Sequence, residues 1–194
     1  MLSQLDRQGE RVHRFDELPV AGRMAVRPRH WLAVAFSLLV AFETFHQFEH
    51  TLEVVQLKLM GAHHAFTLFG AHVNTEWAHF IANTTVLVWI GFVLVGAGPA
   101  VRRSWRAGQP LGWHALLAAL AVQSYHVVEH TVRLVQHLTP GGGRLGILTR
   151  VFDPAWVHFS FNLVVLTGLV VAFAGLEVAK PLTGRLTGAR PGSG

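Results

Sequence analysis

WLAVAFSLLVAFETFHQFEHTLEVVQ (31–56) and LGWHALLAALAVQSYHVVEHTVRLVQ (111–136) are one kind of segment written twice. Each opens with apolar residues and ends in a polar motif. His46-x-x-Glu49-His50-Thr51 leads to Val55-Gln56, and His126-x-x-Glu129-His130-Thr131, eighty residues later, leads to Val135-Gln136. A second motif recurs at an offset of seventy-nine, as Trp77-x-His79-Phe80-x-x-Asn83 and Trp156-x-His158-Phe159-x-x-Asn162. Ionisable groups at membrane depth cost several kcal/mol unless paired, hydrated or metal-bound, so they read as functional. Here such a set appears twice in the same order, which predicts an internal duplication built around a histidine–carboxylate site.

The rest of the chain fits a small membrane protein. Of its 194 residues, 51% are hydrophobic and 14% charged, and four segments are long and apolar enough for roughly 30 Å of hydrocarbon. They are expected at Trp31–Val55, Trp77–Val95, Leu111–Leu134 and Ala155–Leu176. The first lacks a small-residue cleavage site and carries the duplicated motif, so it is expected to be retained rather than removed as a secretory signal. Cysteine is absent, which excludes disulfides and thiolate metal sites.

The net charge of +5 is unevenly placed. Arg7, Arg11, Arg14, Arg23, Arg27 and Arg29 precede the first span. Arg102, Arg103 and Arg106 lie between the second and third, and Lys180, Arg185 and Arg190 follow the fourth. Lys58, Arg133, Arg144 and Arg150 fall on the other side. The positive-inside bias then puts both termini in the cytoplasm, and the high isoelectric point needs no nucleic-acid partner.

The expected fold class is all-α: an integral membrane four-helix bundle of two tandem helical-hairpin repeats, related by a pseudo-two-fold along the membrane normal. Residues 1–28 form a basic cytoplasmic arm on the anionic inner leaflet, 29–108 the first repeat, 109–180 the second, and 181–194 a disordered tail. Each repeat supplies two transmembrane helices. At 1.5 Å per residue from Trp31, His46 lies about 22 Å and His50 about 28 Å along the first helix. The site is therefore expected toward the extracytoplasmic side.

Positions i and i+4 share a helix face, with i+3 beside them, so His46, Glu49 and His50 converge within about one turn. His79 and Asn83 are likewise spaced on the returning helix. One half-site is expected from His46, Glu49, His50 and His79, and the other from His126, Glu129, His130 and His158. Carboxylates and imidazoles on facing helices are how bundles hold paired metals, and an all-N/O donor set suits iron, copper, manganese or zinc, with iron or copper expected ahead of zinc. Two metal ions are expected, with Glu49 and Glu129 neutralising and bridging them and Glu43 as an added ligand or proton relay. Asn83 and Asn162 would orient imidazoles. The copies differ where Glu43 is matched by Gln123 and Glu53 by Arg133, which suggests inequivalent metals and a Glu53–Arg133 ion pair. Thr51 and Thr131 are expected to bond carbonyls one turn back, Trp77 and Trp156 to sit in the interfacial belt, and His13, His30, His63, His64, His72 and His114 to lie outside the site.

These residues point first to an oxygen-dependent oxidoreductase acting on a membrane lipid or other lipophilic small molecule, with a redox partner or a larger membrane complex. The alternatives are a haem-binding electron-transfer protein, a zinc-dependent membrane hydrolase, and a non-catalytic accessory or metal-handling subunit. A conduit is disfavoured because the inner halves, such as VLVWIGFVLV and VVLTGLVVAFAG, carry almost no polar side chain.

Overall fold

A computed structural model describes residues 30–66, 75–141 and 146–176. The arm at 1–28, the tail at 181–194, His13, His72 and Arg144 lie outside the described residues. Among the described residues all regular structure is helical. Helix α1 (His30–Val54) runs into a π-helical turn at Val55–Leu59; α2 spans Thr75–Arg106, α3 Leu111–Leu138 and α4 Pro154–Gly175, with a 3₁₀ turn at Leu148–Arg150 before α4. All four long helices have the length and composition to cross a membrane.

The expected spans agree with three helices to within a few residues. The exception is α2, which continues through Gly96, Gly98 and Pro99 to Arg106 although those residues read locally as helix breakers. Tertiary packing overrides them. Ala97 and Val101 are buried in the core, and Gly96 lets Trp31 and Leu32 of α1 close on the backbone, with their atoms 2.7 and 2.9 Å from where a Cβ would stand. The helix stops at Gly108, whose φ of +68° makes a Schellman cap. Gly108 N–H donates to Trp105 O at 3.1 Å and Gln109 N–H to Ser104 O at 2.9 Å. Pro110 then starts α3. At the other end of the bundle α4 opens conventionally, with Asp153 accepting from Ala155 N–H and Pro154 in the first turn.

The helices pack in a ring, α1 beside α2 and α4, α3 beside α2 and α4. α3 and α4 are the closest pair and α1 and α2 the loosest. The interior has two levels. Next to the 107–110 connection it is dry and apolar, filled by Phe36, Leu39, Val86, Ile90, Leu116, Val165 and Leu169. Toward the opposite end it is polar: Glu43, His46, Glu49, His50, Asn83, Gln123, His126, Glu129, His130, His158 and Asn162 are all buried. The outer faces carry exposed Val34, Leu38, Phe48, Val88, Phe92, Leu117, Leu163 and Val170. A polar interior under an apolar surface inverts the pattern of a bundle that faces water.

The α3–α4 seam closes backbone on backbone. A Cβ on Gly112 would stand 2.9 Å from the Gly175 carbonyl carbon and 3.0 Å from Leu176 N. Gly112→Val is therefore expected to lower stability by about 1–3 kcal/mol through overpacking. Gly91→Ala, with nothing within 4 Å, should instead raise it by up to about 1 kcal/mol through helix propensity. Thermal unfolding of both variants in one detergent checks the pair, and equal shifts would contradict it.

Candidate metal centre

Six imidazoles from four helices meet in one cluster. Helix α1 brings His46 and His50, with ring centroids 4.9 Å apart; α3 brings His126 and His130, at 4.7 Å. His79 from α2 stacks on His50 at 5.3 Å and, nearly parallel, on His130 at 5.5 Å. His158 from α4 meets His130 at 4.7 Å, His126 at 5.5 Å and His50 at 5.7 Å. The arrangement pairs contact with contact. His50–His158 at 5.7 Å corresponds to His130–His79 at 5.5 Å, and His46–His79 at 6.1 Å to His126–His158 at 5.5 Å. The two sets of histidines are thus one contiguous group rather than two separated ones.

Within it, His126, His130 and His158 offer ligand atoms that all lie within 4.8 Å of one another. The Nε2 atoms of His126 and His130 are 3.1 Å apart, close to the roughly 3.3 Å edge of a tetrahedron with 2.0–2.1 Å metal–nitrogen bonds. In the other half, Glu53 lies 3.1 Å from His50 Nδ1. That bond orients the ring and leaves Nε2 buried without a partner among the described residues, as metal-bound imidazoles require of a supporting carboxylate.

The carboxylates separate into distinct roles. Glu129 is buried, but its oxygens accept from Ile147 N–H at 2.9 and 3.0 Å, Leu148 N–H at 3.1 Å and Thr149 Oγ1 at 3.0 Å. It anchors the connection between α3 and α4, and it stands outside the close group of three histidines. Gly146, with φ of +62°, makes this possible, since a Cβ there would run into Glu129 Oε1 and Thr149 Oγ1. Gln136 completes the anchor by accepting from Gly146 N–H at 2.8 Å, as Gln56 accepts from Phe66 N–H at 2.6 Å. The recurrent Val-Gln after each motif therefore ties each helix to the connection ten residues on. Glu49 is buried beside His46 and His79 on the wall of a cavity between α1 and α2. Glu43 is fully buried, and among the described residues neither of its oxygens has a hydrogen-bond partner. Its counterpart Gln123 donates to Asn83 O at 2.9 Å and Asn83 Oδ1 at 3.0 Å. Asn83 in turn lies 3.5 Å from His46 Nε2, whereas among the described residues both polar side-chain atoms of Asn162 lack a partner.

The expected Glu53–Arg133 pair is not formed. Arg133 instead makes a two-bond contact with buried Glu76 at the start of α2, at 2.8 and 3.2 Å, while Glu53 is taken by His50. Sequence reasoning thus missed Glu53 as the group that orients His50, although its i+3 spacing from His50 was a usable signal. Glu76 carried no signal, because its partner comes from another helix. Thr51 and Thr131 bond to Gln47 O and Val127 O at 2.8 and 2.7 Å. His30, His63, His64 and His114 are exposed, as are Trp77 and Trp156.

The layer is tolerable only if something else fills its bonds. Among the described residues twelve buried side-chain atoms have no hydrogen-bond partner, including His50 Nε2, His126 Nδ1, His130 Nδ1, His158 Nε2, both Glu43 oxygens and both polar atoms of Asn162. At about 1–3 kcal/mol each they would rival or exceed the roughly 5–15 kcal/mol of a whole domain's stability. A donor set of clustered imidazoles with nearby carboxyl groups fits a cation, with ordered water on the remaining atoms. Comparison with family models, with curated proteins and with solved structures gives no match, so the functional reading rests on this chemistry.

Glu129→Ala is expected to lower stability by about 3 kcal/mol or more, since it strands several loop donors. It should also speed tryptic cleavage after exposed Arg150. Gly146→Ala should act in the same direction. Gly141→Ala, at φ +75° with nothing within 4 Å, should cost only about 1–2 kcal/mol of backbone strain. Cleavage time courses rank the three, and an unaltered rate in Glu129→Ala would refute the anchor.

Proposed function

We propose that this chain is an integral membrane metalloprotein of two tandem helical-hairpin repeats. Its histidines hold two metal ions, iron or copper, for an oxygen-dependent oxidation of a lipophilic compound. The observation that carries the proposal is the contact of six histidines from four helices, at the polar end of a bundle whose outer faces are apolar. The membrane reading is supported by four helices of spanning length and by exposed Arg102, Arg103 and Arg106 at the end away from the histidines, which the positive-inside bias places in the cytoplasm. The repeat reading is supported by the matched ring contacts and by the matched Gln56 and Gln136 anchors.

His126, His130 and His158 would hold one ion. His46, His50 and His79, with Glu49 and Glu43 nearby, would hold the other. A bound iron or copper would supply the redox chemistry that side chains lack. The chain's own contribution is to orient the imidazoles through Glu53 and Asn83 and to keep water out with the apolar core below. Electrons would come from a redox partner at the membrane. Haem is the weaker alternative, because these rings pack against one another whereas a porphyrin must pass between its two axial rings. Zinc would turn the same ligands toward activating water.

The test is metal content by plasma mass spectrometry on detergent-purified protein, with an optical spectrum of the same sample. The expected result is about two iron or copper atoms per chain without a Soret band. His130→Ala and His158→Ala should lose at least about half of that metal while keeping helical circular dichroism, and His63→Ala should lose none. Zinc alone would redirect the reaction to hydrolysis. Full metal retention in both cluster variants, or none in the parent protein, would overturn the assignment.

A further inference from the structure

The two halves of the polar layer differ in access. On the α3–α4 side the helices pack closely. Gly168 lies against Ala115 O and the Ala119 side chain, each 3.0 Å from where its Cβ would be, and Phe161 covers His126 at 5.1 Å and Tyr125 at 5.7 Å. On the α1–α2 side the equivalent seam holds a cavity of about 340 Å³. Its inner end is formed by His46, Glu49 and His79, and its walls are apolar, with Phe45 and Ile81 also reaching the outer surface of the bundle. Past Ile81 and Thr85 it adjoins a second, shallower groove of about 540 Å³ that follows α2 over Val88 and Phe92.

We propose that this cavity binds a single-chain amphiphile with a neutral, oxygen-bearing head, which enters sideways from the bilayer and places its head against His46, Glu49 and His79. The inference rests on the membrane reading above and adds the substrate class and its route. The polar lining gathers at His46, Glu49 and His79, and the one other hydroxyl, Thr85, is turned back onto Ile81 O, so one end of the ligand is polar and the rest is hydrocarbon. The carboxyl group of Glu49 has lone pairs enough to accept from a hydroxyl beside any bond it already makes, and the His46 and His79 rings stand next to it. A charged head would shed its hydration at a cost of several kcal/mol, and an anionic one would also face the acidic side chain of Glu49. At the ~30 Å³ that one water takes in the liquid, the cavity encloses roughly eleven non-hydrogen atoms. A longer chain continues along the α2 groove. His126, His130 and His158 do not line this cavity, so it is the α1–α2 half of the layer that this route reaches.

The experiment uses the full chain in lipid nanodiscs with hexadecanol bearing a mid-chain diazirine, photolabelled sites being mapped by peptide mass spectrometry and metal being measured on the same samples. Labelling is expected on α1 around Phe42 and Phe45 and on α2 around Ile81 and Val88. It should saturate and be displaced by unlabelled hexadecanol, roughly tenfold less well by hexadecyl sulfate or hexadecyltrimethylammonium. Ala82→Trp, which fills the cavity, should reduce labelling roughly tenfold with metal content unaltered. Leu163→Trp on the exposed face of α4 should leave labelling as it was. Label spread over the exposed apolar residues of all four helices without displacement would show annular lipid only and overturn the proposal. Displaceable labelling in protein that holds no metal would sustain this inference while sinking the metal centre. Metal-loaded protein with undisplaceable label would do the reverse.

Discussion

A polar layer enclosed by hydrocarbon-like surroundings is the constraint to which the rest of this molecule answers. Each imidazole, amide and carboxyl taken out of water must be given a partner, and the chain does so in three ways. Carboxylates are bound by backbone amides, as Glu129 is by Ile147 and Leu148. They are matched with a basic group, as Glu76 is with Arg133 and Glu53 with His50. The remainder, chiefly the histidine nitrogens, Glu43 and Asn162, is left to whatever the layer binds. The dry level beneath, with Phe36, Ile90, Leu116 and Leu169 fully buried, contributes the burial energy that allows such a layer to exist.

The two copies of the motif have divided these duties. In the second copy the wall is tight, the glutamate is an anchor, and Gln123 is neutral and held by Asn83. In the first, the seam is loose, Glu43 retains a carboxyl where Gln123 has an amide, and His50 gains the support of Glu53. These differences leave the open space and the carboxyl groups of Glu43, Glu49 and Glu53 on the α1–α2 side. Packing and side-chain chemistry thus set the two halves apart.

Much of this was legible in the chain, for reasons that can be named. Spacing of i, i+3 and i+4 put His46, Glu49 and His50 on one face, and repetition placed their counterparts, but whether the two sets met or stood apart was settled only by the fold, in contacts such as His50–His158 and His79–His130. What escaped depended on contacts between distant segments. Glu129 reads as a ligand beside His126 and His130, and only the fold brings the amides of Ile147 and Leu148 to it. Pairing Glu53 with Arg133 treated two charges as mutual partners, when His50 and Glu76 stood closer. The breakers Gly96, Gly98 and Pro99 suggested an earlier end to α2, but Trp31 and Leu32 need the small residue there, and a buried face outweighs local propensity.

The division between the copies also bears on the ions themselves. The group of His126, His130 and His158 consists of neutral ligands, its own glutamate is committed to the loop, and Arg133 lies one turn beyond His130. A cation bound there receives no direct charge neutralisation, which favours an ion of low charge or one that brings an anion with it. The opposite half has Glu49 on the cavity wall and Glu53 behind His50, acidic groups that the His126, His130 and His158 trio lacks. A cation placed in either half would meet a different set of carboxyl groups, although the histidines are the same in number and nearly the same in arrangement. The asymmetry lies in the carboxylates, and the α1–α2 cavity opens onto the half that has kept them.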